Sequence, residues 1–151
     1  VHIPAGASVV IVGCGGVGLA ALQGARIVGA GKIVAVDAQA WKLDLAKTLG
    51  ATHVVDASQG DPVAAVHEVT GGGADFVFEC IGLVPTVQQS VAMTGRGGTT
   101  VLVGVEDGMF ARERSDPAPP FEERGLEIVT VSAMTPHKSV EDVVDALAVP
   151  S

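Results

Sequence analysis

The sequence predicts an α/β fold, a doubly wound parallel sheet of about six strands with helices on both faces. Three observations predict it. Short β-branched runs alternate with helical patterns along the 151 residues, and strands that alternate with helices pair in parallel because each return needs a crossover. Apolar residues make up 48% of the chain, with no Tyr and one Trp, so Val, Ala, Ile and Leu must build the core, as suits parallel strands buried under small-residue helices. Finally, the first β-branched run breaks into Gly13, Gly15, Gly16 and Gly18 where a helix should open.

Residues 8–13 read as a buried strand and 17–30 as a helix with Val17, Ala21, Gly24 and Val28 on one face. Residues 33–37, "IVAVD", form a second strand. A helix follows over 40–49, with Leu43, Ala46 and Leu49 aligned and Gly50 as its stop. "HVVDA" at 53–57 is a short third strand. In "DPVAAVHEVTGGG", Asp61 is the N-cap, Pro62 takes the first helical position and the glycines end the helix. Asp75 opens a fourth strand, 85–94 form a helix, and Thr99 opens a fifth strand, "TTVLVGV". Residues 106–124, with prolines at 117, 119 and 120, read as an exposed loop. A sixth strand is expected over 126–133 and a closing helix over 139–148, with Val140, Val143, Val144 and Leu147 inward.

The formal net charge of −8 argues against nucleic acid or an anionic membrane as partner. Cys14 and Cys80 make no disulfide framework, which points to a reducing cytoplasm. No apolar stretch reaches spanning length, and Val1 to Pro4 lack the charged and apolar regions of a signal peptide. The absence of an initiator methionine suggests a fragment of a longer protein.

In "GCGGVG" the spacing G-x-G-x-x-G falls on Gly13, Gly15 and Gly18, between a strand and a helix. Gly13 permits the tight turn. Gly15 lets a pyrophosphate approach the backbone, and Gly18 lets the helix press on the first strand. The helix N-terminus then offers unpaired N–H groups to the anion. Asp37 ends the second strand nineteen residues after Gly18, where a carboxylate can accept both hydroxyls of an adenosine ribose. The order is that of a Rossmann dinucleotide site. A 2′-phosphate against Asp37 would be repelled by about 4 kcal/mol per pair of unit charges at roughly 4 Å and an effective dielectric of about 20. NAD is therefore expected over NADP.

Other residues read as structural. Glu79, an acid in an apolar strand, is expected to bond backbone N–H groups. Asp56 and Asp75 read as turn acids. Cys14, at a helix N-terminus, could gain some thiolate character, although burial of its side chain is the stronger expectation. His2, His53, His67 and His137 show no ligand spacing, so no metal site is expected.

"VVIVGCGGVGLAALQGARIVGAGKIVAVD", "KLDLAKTLGATHVVDA", "GADFVFECIG" and "GRGGTTVLVGV" together resemble the NAD-binding domain of zinc-type alcohol dehydrogenases in the medium-chain dehydrogenase/reductase family. The resemblance is densest from Ser8 to Val105. It implies that Gly15, Gly16 and Val17 bind the pyrophosphate through their backbone, and that Asp37 and Lys42 hold the adenosine ribose. Cys80 and Ile81 would flank the adenine and its ribose, while Val103, Gly104 and Val105 would meet the nicotinamide. It also implies an oxidoreductase in which zinc, held by a domain absent here, lowers the pKa of an alcohol so that hydride passes to the nicotinamide. No catalytic residue lies in this chain on that reading, and the chain alone would be inactive. In dimeric members the sixth strand pairs across a twofold, so a homo-oligomer through the last strand is implied. A zinc-free quinone reductase of the same superfamily and a free-standing dinucleotide-binding sensor module are the alternatives.

Overall fold

Consecutive Val and Ile make both faces of a strand apolar, and such a strand is stable only with helices on either side. Residues 9–12 are such a run, each nearly or fully buried, and they lie at the centre of the sheet. A computed structural model of the protein describes residues 1–103, 125 and 127–131. The chain runs β1 (Ser8–Val12), α1 (Gly16–Ile27), β2 (Lys32–Asp37), α2 (Ala40–Leu49), β3 (His53–Asp56), α3 (Pro62–Thr70), β4 (Ala74–Glu79), α4 (Val84–Met93), β5 (Thr94–Val103) and β6 (Glu127–Val131). These form one six-stranded sheet in the order β3-β2-β1-β4-β5-β6, with every pair parallel.

The period-two alternation of the strands divides the core. Val9, Ile11, Ile33 and Ala35 face one way, against Leu22 and Ala25 of α1 and Leu43 and Ala46 of α2. Val10, Val12, Val34, Val36 and Val77 face the other way, with Val66 of α3 and Met93 of α4. The predicted doubly wound α/β architecture is the one observed.

Local signals explain most boundaries. The Asp61 side chain accepts the Val63 N–H, Pro62 opens α3, and Gly71 closes it in the left-handed conformation. Gly50, at φ +125°, ends α2 while its N–H bonds the Ala46 carbonyl. The anticipated loop over 106–124 and helix over 139–148 lie outside the described residues.

Two expectations need correction. The inward face of α1 is Gly18, Leu22 and Ala25, one position on from the predicted stripe. Val17 and Val28 are exposed, and Ala21, Gly24 and Val28 instead line an open cleft of about 490 Å³ with Ile3, Pro4 and Phe78. The cause is Gly18: a Cβ there would fall on the Gly13 carbonyl oxygen and meet Ile11 Cγ2 at 3.2 Å. Only a glycine can face the strand at that turn, and this sets the rotation of the helix. The second correction concerns β5, which begins at Thr94 directly after α4, five residues before the predicted Thr99. Its ladder with β4 shifts register between Ala74 and Phe76. A Cβ at Gly98 would stand 2.8 Å from the Ala74 carbonyl oxygen, so this glycine, which preceded the predicted strand, permits close approach of two strands.

The two glycines of α1 should therefore answer oppositely to the same substitution. Gly24→Ala, where a Cβ meets nothing within 4 Å, is expected to raise stability by about 0.5–1 kcal/mol. Gly18→Ala is expected to lower it by about 3 kcal/mol or more. Urea unfolding checks both; equal effects would contradict the assigned rotation.

Candidate functional site

Parallel strands bring all their C-terminal ends to one edge, and the chain reverses its winding direction between β1 and β4, which opens a crevice there. The register defines what lines it. Val12 pairs with Val36 and with Glu79, and Glu79 pairs with Leu102. One residue further on, Asp37, Gly13, Cys80 and Val103 form a rank across the sheet. The ladder continues into it, since Gly13 N–H donates to the Val36 carbonyl and Cys80 N–H to the Val12 carbonyl, each at 2.8 Å.

The glycine loop stands over this rank. Gly13 turns at φ +94°, and Gly15 is the N-cap of α1, with no side-chain cap on the helix. Cβ atoms at Gly15 or Gly16 would meet no protein atom within 4 Å. The first-turn N–H groups, including that of Val17, lack carbonyl partners within the helix and carry the positive end of its dipole. The result is an open, electropositive cradle made of backbone.

Asp37 ties the cradle to the sheet. Its Oδ2 accepts the Cys14 N–H and its Oδ1 the Gln39 N–H, both at 2.8 Å. Each carboxylate oxygen keeps acceptor capacity for a further donor. Lys42, half-buried in the first turn of α2, holds its Nζ 5.6 Å from the ring centre of Trp41, which is exposed.

On the other side of Gly13, Ile81 Cγ1 stands 2.5 Å from where a Gly13 Cβ would be. The segment carrying Cys80 and Ile81 is held by Glu79, a fully buried carboxylate. Its Oε1 accepts the Ile81 and Gly82 N–H groups and the Thr86 hydroxyl, each at 2.9 Å. The backbone-bonded role expected for Glu79 is the one observed. Val103 closes the rank at the end of β5, while Gly104 and Val105 lie outside the described residues.

Asp56 is a turn acid, accepting the Ser58 N–H and hydroxyl, which hold its carboxyl below the usual value. Asp75 is not. Its Oδ2 accepts the N–H and hydroxyl of Ser8, joining the N-terminal ends of β4 and β1 across 67 residues of sequence. His67 Nε2 lies 2.6 Å from the Ala92 carbonyl oxygen, and His53 Nδ1 lies 2.9 Å from the Thr52 hydroxyl. His137 lies outside the described residues. Among the described residues no group of three or more His, Cys, Asp and Glu is placed to hold a metal ion, and no helix is long and apolar enough to cross a membrane.

Cys14 does not gain thiolate character from its helix. It is buried, and its Sγ faces the Val36 carbonyl at 3.8 Å. Burial pushes its thiol up to about 11, helped by the Asp37 charge and opposed by Lys42 and the Val36 carbonyl. Burial likewise raises Cys80 to about 12, with the Glu79 charge adding to it. At pH 8 only about one Cys14 in 1,000 is then ionised. Both thiols are expected to resist alkylation at pH 8 in the folded chain and to react fully in denaturant. Fast labelling of Cys14 in the folded chain would contradict this geometry.

With this geometry described, comparison with known proteins adds the family. The model of zinc-binding dehydrogenases matches residues 16–148. A geraniol dehydrogenase of Castellaniella defragrans is 46% identical over 101 residues, 66% of this chain and 27% of that protein. The crystal structure of a benzyl alcohol dehydrogenase from Acinetobacter calcoaceticus superposes with a TM-score of 0.78 at 32% identity, covering 99% of this chain and 37% of its own. A zinc-binding dehydrogenase structure from Sinorhizobium meliloti 1021, bound to NADP, has a TM-score of 0.78 at 34% identity, covering 98% and 43%. The chain thus spans between about a quarter and just over two fifths of the relatives it matches. It belongs to the zinc-binding dehydrogenase family.

Proposed function

We infer that this chain is the NAD-binding domain of a zinc-dependent alcohol dehydrogenase and positions the nicotinamide to take hydride from an alcohol. The observation that carries this reading is the empty space above Gly15 and Gly16, bordered by the Asp37 carboxylate. A pyrophosphate fits a cradle of N–H groups at a helix N-terminus, and a ribose fits an acid with acceptor capacity left. The dinucleotide, when bound, supplies the hydride acceptor.

In this reading Gly15, Gly16 and Val17 donate backbone N–H groups to the pyrophosphate, with Gly13 and Gly18 shaping the loop. Asp37 and Lys42 hold the adenosine ribose. Cys80 and Ile81 flank the adenine end, and Val103, Gly104 and Val105 meet the nicotinamide. Asp37 favours NAD over NADP by placing its negative charge where a 2′-phosphate would sit; the NADP-bound relative makes this choice a property to test. The described residues do not fit a zinc site, so zinc chemistry is assigned to the rest of the enzyme. On this reading residues 1–151 belong to one cofactor domain, to which no catalytic residue is assigned. Among the described residues β6 ends the strand order, which supports a homo-oligomer through that strand. The acidic balance of the chain supports neither nucleic-acid nor membrane binding, and its two thiols without a disulfide suit the cytoplasm.

Gly15→Ala separates folding from binding, because Gly15 has an ordinary φ of −82° and open space around it. Calorimetric titration is expected to show at least about tenfold weaker NAD binding, the cost of a methyl group in the anion's place, with unchanged circular dichroism. Asp37→Asn keeps one acceptor, loses the charge and sets its NH2 against either the Cys14 or the Gln39 N–H. It is expected to cost about 1.5–3 kcal/mol of NAD affinity and to narrow the preference over NADP. Full NAD affinity in both variants would remove the loop and the acid from the site.

A further inference from the structure

We propose that Glu79 is a positioning residue of the cofactor site: its buried carboxylate fixes the Cys80–Gly82 segment so that Ile81 is presented to the dinucleotide beside Gly13. This rests on the NAD-binding reading above and adds a residue that touches no ligand.

Glu79 is 0% exposed, in the strand next to β1 across the crevice. A buried carboxylate is costly unless several donors bond it. Among the described residues all of its partners are donors. Oε1 accepts from Ile81 N, Gly82 N and the Thr86 hydroxyl, and Oε2 lies 3.1 Å from Gly82 N. The carboxylate therefore takes up successive N–H groups as the chain leaves β4 and anchors the turn to α4 through Thr86. The Thr86 hydroxyl also lies 2.9 Å from the Leu83 carbonyl, so its single proton is shared between that carbonyl and the Glu79 carboxylate.

The consequence reaches the site through Ile81, which is 44% exposed although its Cγ1 crowds the Gly13 position. An exposed, branched apolar side chain pinned against the glycine turn forms a wall beside the cradle. A solvated loop of similar sequence would let that wall move. A glutamine with its carbonyl in the place of Oε1 keeps those three donors but loses the charge that strengthens them, and its NH2 would stand about 3.1 Å from the Gly82 nitrogen, donor against donor.

A double-mutant cycle on the 151-residue chain tests this, with NAD affinity measured by calorimetry. Ile81→Ala is expected to weaken NAD binding about fivefold, and Glu79→Gln about tenfold, as the loss of a few contacts held in place. The double variant should match Ile81→Ala, about fivefold down rather than about fiftyfold, because Glu79 acts through the placement of Ile81 and has nothing left to place once that side chain is gone. Thr86→Val, which keeps the shape and removes the hydroxyl donor, supplies the same cycle if Glu79→Gln does not fold. A Glu79 that served stability alone would lower Tm and leave the two effects independent. Additive effects, or unchanged affinity in Glu79→Gln and Thr86→Val, would overturn the positioning role while leaving the cofactor reading intact. A wild-type chain that binds neither NAD nor NADP would overturn the cofactor reading and this role with it.

Discussion

The close approach of Gly18 to the Gly13 carbonyl is the constraint on which the rest of the site depends. It permits α1 to lie against β1 at a distance no side chain allows, and it turns Leu22 and Ala25 into the core. With the helix seated there, its N-terminus stands over the strand ends, and Gly15 and Gly16 are left facing open space. Core packing and the anion cradle are thus two results of one contact.

Two buried carboxylates stabilise the crevice from either side. Asp37 bonds the loop after β1 and the connection to α2. Glu79 bonds the connection from β4 to α4. Burying an acid is unfavourable in itself, and both are offset by short hydrogen bonds from backbone N–H groups, which are stronger to a charged acceptor. Both acids end strands that flank β1, Asp37 in β2 and Glu79 in β4, where the N–H groups of the departing chain would otherwise lack partners. They differ in exposure to a ligand: Asp37 is 7% exposed and Glu79 not at all. On the proposed reading Asp37 would meet a ribose directly, whereas Glu79 would act only through the segment it holds.

Much of this was legible in the residues, for reasons that can be named. The limits of α3 were written in Asp61, Pro62 and the glycines after Thr70, because capping and φ restriction are local effects. The fold class followed from the alternation of elements, and the glycine spacing placed the loop. The face of α1 was misread because Val17 and Val28 are more apolar than Gly18 and Ala25, yet the fit of a glycine to a backbone decided the rotation. The start of β5 was placed five residues late because Gly95 and Gly98 lack the β-branched signal of a strand, and only their close approach to Gly73 and Ala74 shows why they stand there. Asp75 and Thr86 act through partners, Ser8 and Glu79, that only the tertiary arrangement brings near. No local signal could have shown either pairing.

The central claim is that the rank of strand ends, and not the cleft beneath the N-terminal segment, receives a dinucleotide. Amide chemical shifts of the 15N-labelled chain during titration with NAD test it most directly. The account predicts perturbations concentrated at Gly15, Gly16, Val17, Lys42, Ile81 and Val103, with Ile3, Ala21 and Val28 unmoved. Perturbations confined to those last three, with the glycine loop unchanged, would contradict it.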